Sequence, residues 1–177
     1  ITLYGADEAD FYNIWLGYFA LDADMAAIRR DILAHSDAPR LSHAAEVGRG
    51  IRILRQDAWE ALCSFIISQN NNIPRIKSLI RALCERLGEP IDTSDMLAHG
   101  ARATEYTFPT PEAICAAGVD VLRELKTGFR AKYIYDAVER IRGGELIIED
   151  IFAERDTELA IEKLCTVKGI GRKVASC

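Results

Sequence analysis

Apolar residues recur at three- and four-residue spacing along most of the chain, a pattern that predicts an all-α protein. Phe11, Ile14, Trp15, Tyr18 and Phe19 mark one helix over residues 7–20. Asp22 or Asp24 can cap a second that runs to about Leu33. Residues 34–50 mix Gly, Pro, Ser and His and read as loop or short helix. Asp57-Ala58-Trp59-Glu60 has the form of a capping box, and the run after it is apolar on most sides, as a central buried helix should be. Pro74 suits a first helical turn and Gly88 a stop, which predicts a helix over 73–87. A polar loop over 89–108 leads to a short helix opened by Thr110-Pro111-Glu112 and ending near Gly118, then another over 119–126. Tyr133, Ile134, Ala137, Val138 and Ile141 share one face of a helix over 130–142, stopped by Gly143-Gly144. Asp156 or Thr157 caps the next, to about Leu164, before a tight Gly169-Ile170-Gly171 turn and a new helix from Arg172. Only Leu146-Ile147-Ile148 looks strand-like, and no internal repeat is present.

The chain has 177 residues, 49% of them hydrophobic, which excludes collagen-like and bulk disordered sequence. No stretch approaches the roughly 20 apolar residues of a membrane span, so no membrane partner is expected. Five cysteines without a C-x-x-C pair argue against a disulfide scaffold or zinc knuckle and fit a reducing cytosol. The net charge of −5 is unevenly spread: residues 1–37 hold seven acids and two bases, while 163–177 hold four bases and no acid. An acidic chain can therefore still present one cationic face to phosphate.

Chemistry concentrates in Leu164-Cys165-Thr166-Val167-Lys168-Gly169-Ile170-Gly171-Arg172-Lys173-Val174-Ala175. One helix ends, two glycines frame an apolar residue that can plug the core, and another helix starts at once. Amides at the start of that helix are suited to a DNA phosphate. Lys173 sits in its first turn, where a cation is electrostatically unfavourable. Two readings remain open: a phosphate contact, or an amine readied as a nucleophile.

This hairpin resembles that of the helix-hairpin-helix DNA glycosylases, whose glycosylase/lyase members carry a lysine two positions after the second glycine. Gln56 to Glu60, Ser64 to Ile76 (with Ser68-Gln69-Asn70-Asn71-Asn72-Ile73-Pro74-Arg75) and Thr127-Gly128-Phe129-Arg130-Ala131-Lys132-Tyr133 are similar to the 8-oxoguanine DNA glycosylases in particular. The resemblance runs from about residue 3 to 177 and implies that residues 1–177 form one helical glycosylase core of two packed subdomains, with the hairpin at about 157–177. It implies that Lys173 attacks the sugar C1′, and that Asn70, Arg75 and Arg130 hold the cytosine left opposite the extruded base. Phe129 would wedge into the stack and Cys177 line the base pocket. Gly169, Gly171 and Arg172 would meet the DNA backbone. No organic cofactor is implied, but main-chain carbonyls of Cys165, Val167 and Ile170 would hold a structural cation.

The implied activity is removal of 8-oxoguanine from duplex DNA opposite cytosine, with β-elimination of the abasic site, by a monomer. Its expected location is cytoplasm or nucleoid in a bacterium, or nucleus in a eukaryote. The alternative is a non-catalytic helix-hairpin-helix module that only grips phosphate. Two departures bear on these expectations. Lys168 stands where the family commonly has proline, which is expected to loosen the turn and add a phosphate-facing charge. The family's catalytic aspartate and remaining pocket wall would follow residue 177, and its small β-domain would precede Leu3-Tyr4-Gly5. The chain is thus expected to be a fragment with weak or no base excision of its own.

Overall fold

The structure is a computed structural model that describes residues 2–35, 39–100, 102 and 104–176, with Pro39, Asp95, Met96 and Phe152 described by backbone alone. The chain divides into two compact units, Ile1–Gln56 and Asp57–Cys177. In the first, the expected opening helix forms as three consecutive pieces: α1 (Glu8–Asp10), a π-helical segment (Phe11–Trp15) and α2 (Leu16–Tyr18). Asp7 and Asp10 close a capping box at its start. Trp15 stacks on Phe19 with centroids 5.9 Å apart. Asp24, rather than Asp22, caps α3 (Met25–Ala34) by accepting from the Ala26 and Ala27 amides. Asp22 instead pairs with Arg55 at 2.8 Å. The segment left open between loop and helix contains α4 (Pro39–Val47).

The second unit is built around α5 (Ala58–Ser68), which buries Trp59, Cys63, Ile66 and Ile67. Asp57 caps it through the Glu60 amide at 2.8 Å, and the Trp59 indole N–H donates to the Pro109 carbonyl at 2.9 Å. That bond lets a large ring enter the core without leaving its N–H unsatisfied. α6 (Ile73–Leu87) begins and ends at the predicted residues, with Asn72 as cap and Pro74 in the first turn.

Residues 89–108 are not the featureless loop expected. They contain β1 (Pro90–Asp92), a 3₁₀ segment (Ser94–His99) and β2 (Thr104–Tyr106), the strands pairing antiparallel with Pro90 opposite Tyr106. Strands this short and exposed have no alternating apolar face to advertise them. The strand-like Leu146-Ile147-Ile148 joins no strand among the described residues: Leu146 is buried, and Ile148 opens α9 (Ile148–Ala153).

α7 (Pro111–Glu124) contains a kink at Gly118, whose φ of 79° breaks the run into the two helical pieces foreseen. α8 (Arg130–Arg142) follows and lies in the core, with Ala131, Ile134, Ala137 and Val138 fully buried. α10 (Thr157–Cys165), capped by Asp156, leads through the glycine turn into α11 (Arg172–Ala175). No described helix is long and apolar enough to cross a membrane.

α8 packs against α5 and α7, so truncating one of its buried branched side chains should leave a cavity in the core. Ile134→Ala should lower the unfolding free energy by about 2–5 kcal/mol, read as a smaller urea midpoint. Leu159→Ala, half-exposed on α10, should change it by less than about 0.5 kcal/mol. Equal losses in the two variants would contradict this placement of the core.

Candidate nucleic-acid interface

The three consecutive asparagines between α5 and α6 do three different things. Asn70 adopts a left-handed backbone (φ 46°), a conformation asparagine tolerates better than most residues. Asn71 donates its amide to the Ile67 carbonyl at 3.1 Å, anchoring the loop to the end of α5. Asn72 accepts the Arg75 N–H at 3.0 Å and so starts α6. Asn70 is exposed, and of the three it is the one whose side chain has no hydrogen bond among the described residues.

Below this loop sits Arg130, only 6% exposed. Its Nε donates to the Gln69 carbonyl at 2.9 Å, and Nη2 donates to the carbonyls of Gln69 and, at 3.0 Å, Asn70. Nη1 donates to the Thr127 carbonyl at 3.3 Å. A guanidinium has five N–H groups, so one remains, on Nη1. Burial, with the charge of Arg75 nearby, pushes its pKa down from the ordinary value. Arg75 is exposed and donates from Nη2 to the Lys126 carbonyl at 3.2 Å, keeping most of its fork outward. Phe129 is 49% exposed, its ring edge-on to Tyr133 at 5.7 Å and under the Arg130 guanidinium at 4.5 Å. Asn70–Asn72, Arg75, Phe129 and Arg130 together line an open recess of about 500 Å³.

The hairpin adjoins this recess. Ile170 is buried, as its place between the glycines required, and Gly169 has φ 85°. A Cβ on Gly169 would stand 2.3 Å from the Tyr133 ring. Gln69 joins the two parts: its side-chain amide donates to the Gly169 carbonyl at 2.8 Å while its own carbonyl accepts from Arg130. Gly171 caps α11 without a side-chain bond, and Lys173 is exposed at the second position of that helix. Val174 and Ala175, on the other side, line an apolar recess of about 390 Å³ with Leu62, Phe65, Ile151 and Ile170.

One sequence-based expectation changes here, and a second residue gains a partner. The Lys168 charge is not simply directed at phosphate, because its ammonium pairs with Asp136 at 2.9 Å and its main-chain N–H donates to the same carboxylate at 3.0 Å. Arg172, assigned to the DNA backbone, donates to Glu158 at 2.5 Å. The carbonyl of Val167 accepts the Ile170 N–H at 3.1 Å, leaving one lone pair for the expected cation. Among the described residues, no group of three or more His, Cys, Asp and Glu side chains is placed to hold a metal ion. Cys177, expected in the base pocket, lies outside the described residues.

Gln69, Tyr133 and Asp136 were missed by sequence reasoning. Asp136 left a trace, being a carboxylate amid the buried positions of α8. Burial alone would raise its pKa, but the N–H and ammonium of Lys168 and the guanidinium of Arg140 outweigh that and hold its carboxyl below the usual range.

Residues 63–171 match the HhH-GPD superfamily of base excision DNA repair proteins, and the chain belongs to that superfamily. Residues 3–62 match the N-terminal domain of 8-oxoguanine DNA glycosylase. Within the superfamily, the chain belongs to the 8-oxoguanine DNA glycosylase family. It is 34% identical over 170 residues to an N-glycosylase/DNA lyase of Saccharomyces cerevisiae, covering 90% of this chain and 43% of that protein. The Clostridium acetobutylicum 8-oxoguanine glycosylase/lyase, solved with double-stranded DNA containing cytosine opposite 8-oxoguanine, superposes with TM-score 0.82 at 37% identity. That match covers 97% of this chain and 56% of the other. MBOgg1, solved with a low-affinity DNA ligand, superposes with TM-score 0.80 at 39% identity, covering 98% and 59%. The chain thus spans about half the length of these relatives.

Gly169 has both a left-handed backbone and a ring where a Cβ would go. Gly169→Ala should therefore destabilise the second unit by at least about 2 kcal/mol, measured by thermal or urea unfolding. A neutral effect would mean that the turn does not rest on Tyr133.

Proposed function

We propose that this chain carries the chemistry of a bifunctional glycosylase and abasic-site lyase acting on oxidised guanine opposite cytosine in duplex DNA. The observation that carries the reading is the bond from Gln69 to Gly169, which holds a recess fit for an unpaired base beside the hairpin that bears Lys173. Cytosine offers two acceptors and an amino donor on its pairing edge. The outward fork of Arg75 and the last N–H of Arg130 can serve the acceptors, and the Asn70 amide oxygen the donor. Phe129, exposed at the rim, can replace the stacking lost when the damaged base leaves the helix. The Lys173 amine attacks C1′, and the glycosidic bond breaks with its electron pair leaving on the base. Ring opening gives an imine, and loss of a C2′ proton then expels the 3′ phosphate. A cation on the carbonyls of Cys165, Val167 and Ile170, and action as a monomer, belong to the same proposal.

A duplex with a ready-made abasic site tests the lysine separately from base removal. Its aldehyde and the Lys173 amine form an imine with loss of water, which borohydride reduces to a stable protein–DNA adduct. The chain should give this adduct and Lys173→Gln should not. Duplex binding without any adduct would favour the non-catalytic module.

Opposite-base reading is tested by binding to duplexes with a tetrahydrofuran abasic analogue facing each of the four bases. Arg75→Ala should narrow the preference for cytosine by about 1–3 kcal/mol, roughly ten- to hundredfold. Arg130→Ala should do the same and also loosen the loop it holds. Arg155→Ala, an exposed charge before α10, should shift all four affinities equally. Parallel losses for Arg75→Ala across all four bases would make it a backbone clamp.

A further inference from the structure

The hairpin turn has a geometry that makes its second residue unexpected. The Ile170 N–H donates to the Val167 carbonyl at 3.1 Å, and Gly169 occupies the third position with φ 85°. Lys168, at the second position, is not among the residues of positive φ. These are the marks of a type II turn, which favours glycine third and proline second because the ring fixes φ. Lysine at that position leaves the turn without internal stiffness. It also leaves a main-chain N–H that a type II turn does not use.

Asp136 takes up both handles that lysine has and proline lacks. Its Oδ2 accepts the Lys168 N–H at 3.0 Å and its Oδ1 meets the Lys168 ammonium at 2.9 Å. The carboxylate is 10% exposed and is held in turn by Arg140 Nε at 2.9 Å. Gripping one residue by backbone and side chain together restrains its torsions as a ring would. Asp136 lies one turn beyond Tyr133 on α8, so two successive turns of that helix fix two successive residues of the hairpin, Gly169 and Lys168.

We propose that Asp136 is a positioning residue: through Lys168 it holds the type II turn in the form that meets the DNA backbone, as a proline at position 168 would do from within. This rests on the reading of the hairpin as a DNA contact. Residues 136 and 168 are therefore coupled. Proline at 168 removes two of the buried carboxylate's partners and is harmful while Asp136 is present. With alanine at 136 the same proline has nothing to orphan and restores the turn.

The test is a double-mutant cycle of the chain with Asp136→Ala, Lys168→Pro and both together. Two quantities are read: hydrogen exchange of the Ile170 amide without DNA, and affinity for a tetrahydrofuran duplex opposite cytosine. Asp136→Ala should speed Ile170 exchange and weaken the duplex each by about tenfold, and the double variant should return both to within about threefold of the unsubstituted chain. Unchanged exchange in Asp136→Ala, or a double variant as poor as the two singles combined, would overturn the clamp. Restored exchange with equal affinities throughout would overturn its role in binding. Failure of the unsubstituted chain to bind the duplex would sink the function proposed above together with that role, while the exchange cycle still decides the clamp. Should Asp136→Ala not fold, Asp136→Asn, which keeps an oxygen for the Lys168 N–H, should show the same changes at smaller size.

Discussion

The buried guanidinium of Arg130 is the constraint from which the geometry of the interface follows. A cation this well covered must have its hydrogen bonds satisfied, and here three main-chain carbonyls provide them. Those carbonyls belong to the asparagine loop and to the segment before α8, so satisfying one side chain fixes two otherwise independent pieces of chain. Asn70 can then hold a left-handed backbone, because the carbonyls on either side of its peptide links are already committed. Higher up the same helix, Tyr133 and Asp136 repeat the arrangement with the hairpin. Their spacing of three residues keeps all three side chains along one side of α8.

This arrangement reconciles an acidic chain with a cationic site. The net charge of −5 says little about the field at the recess, where the buried Arg130 lies close enough to feel the charge of Arg75. Elsewhere, positive charges that look available in the sequence are matched locally: Lys168 by Asp136, Arg172 by Glu158 and Lys163 by Glu154. Counting lysines and arginines along 163–177 therefore overstates the charge that end of the chain presents.

Much of the second unit was legible because its signals are local. Caps at Asp57, Thr110 and Asp156, Pro74 in a first turn and stops near Gly88 and Gly143 act within one turn, so pattern and structure agree there. The strand pair was invisible because its partners are separated by a 3₁₀ segment and have no buried face. The recess was foreseen through Asn70, Arg75, Phe129 and Arg130, but the resemblance named these residues without saying how they divide the work. Arg130 reads as a second base-facing fork in the sequence. Only its burial shows that four of its N–H groups hold main chain. Gln69 and Asp136 act across 100 and 32 residues, and no periodicity reports a contact at that separation.

Gln69 has its main chain bonded to Arg130 below the recess and its side chain bonded to the hairpin, which in the proposed function would link recognition to chemistry. Its carbonyl is fixed by Arg130 and its amide reaches Gly169 four residues before Lys173. A base that displaces the asparagine loop must stretch that bond or drag the hairpin turn with it. The hairpin resists, because Tyr133 fills the space beneath Gly169 and Asp136 holds Lys168. Strain from a wrong base would therefore fall on the Gln69–Gly169 bond rather than be absorbed by a soft loop. In the proposed reaction, a lysine carried on a fixed hairpin can be sensitive to the identity of a base it never touches.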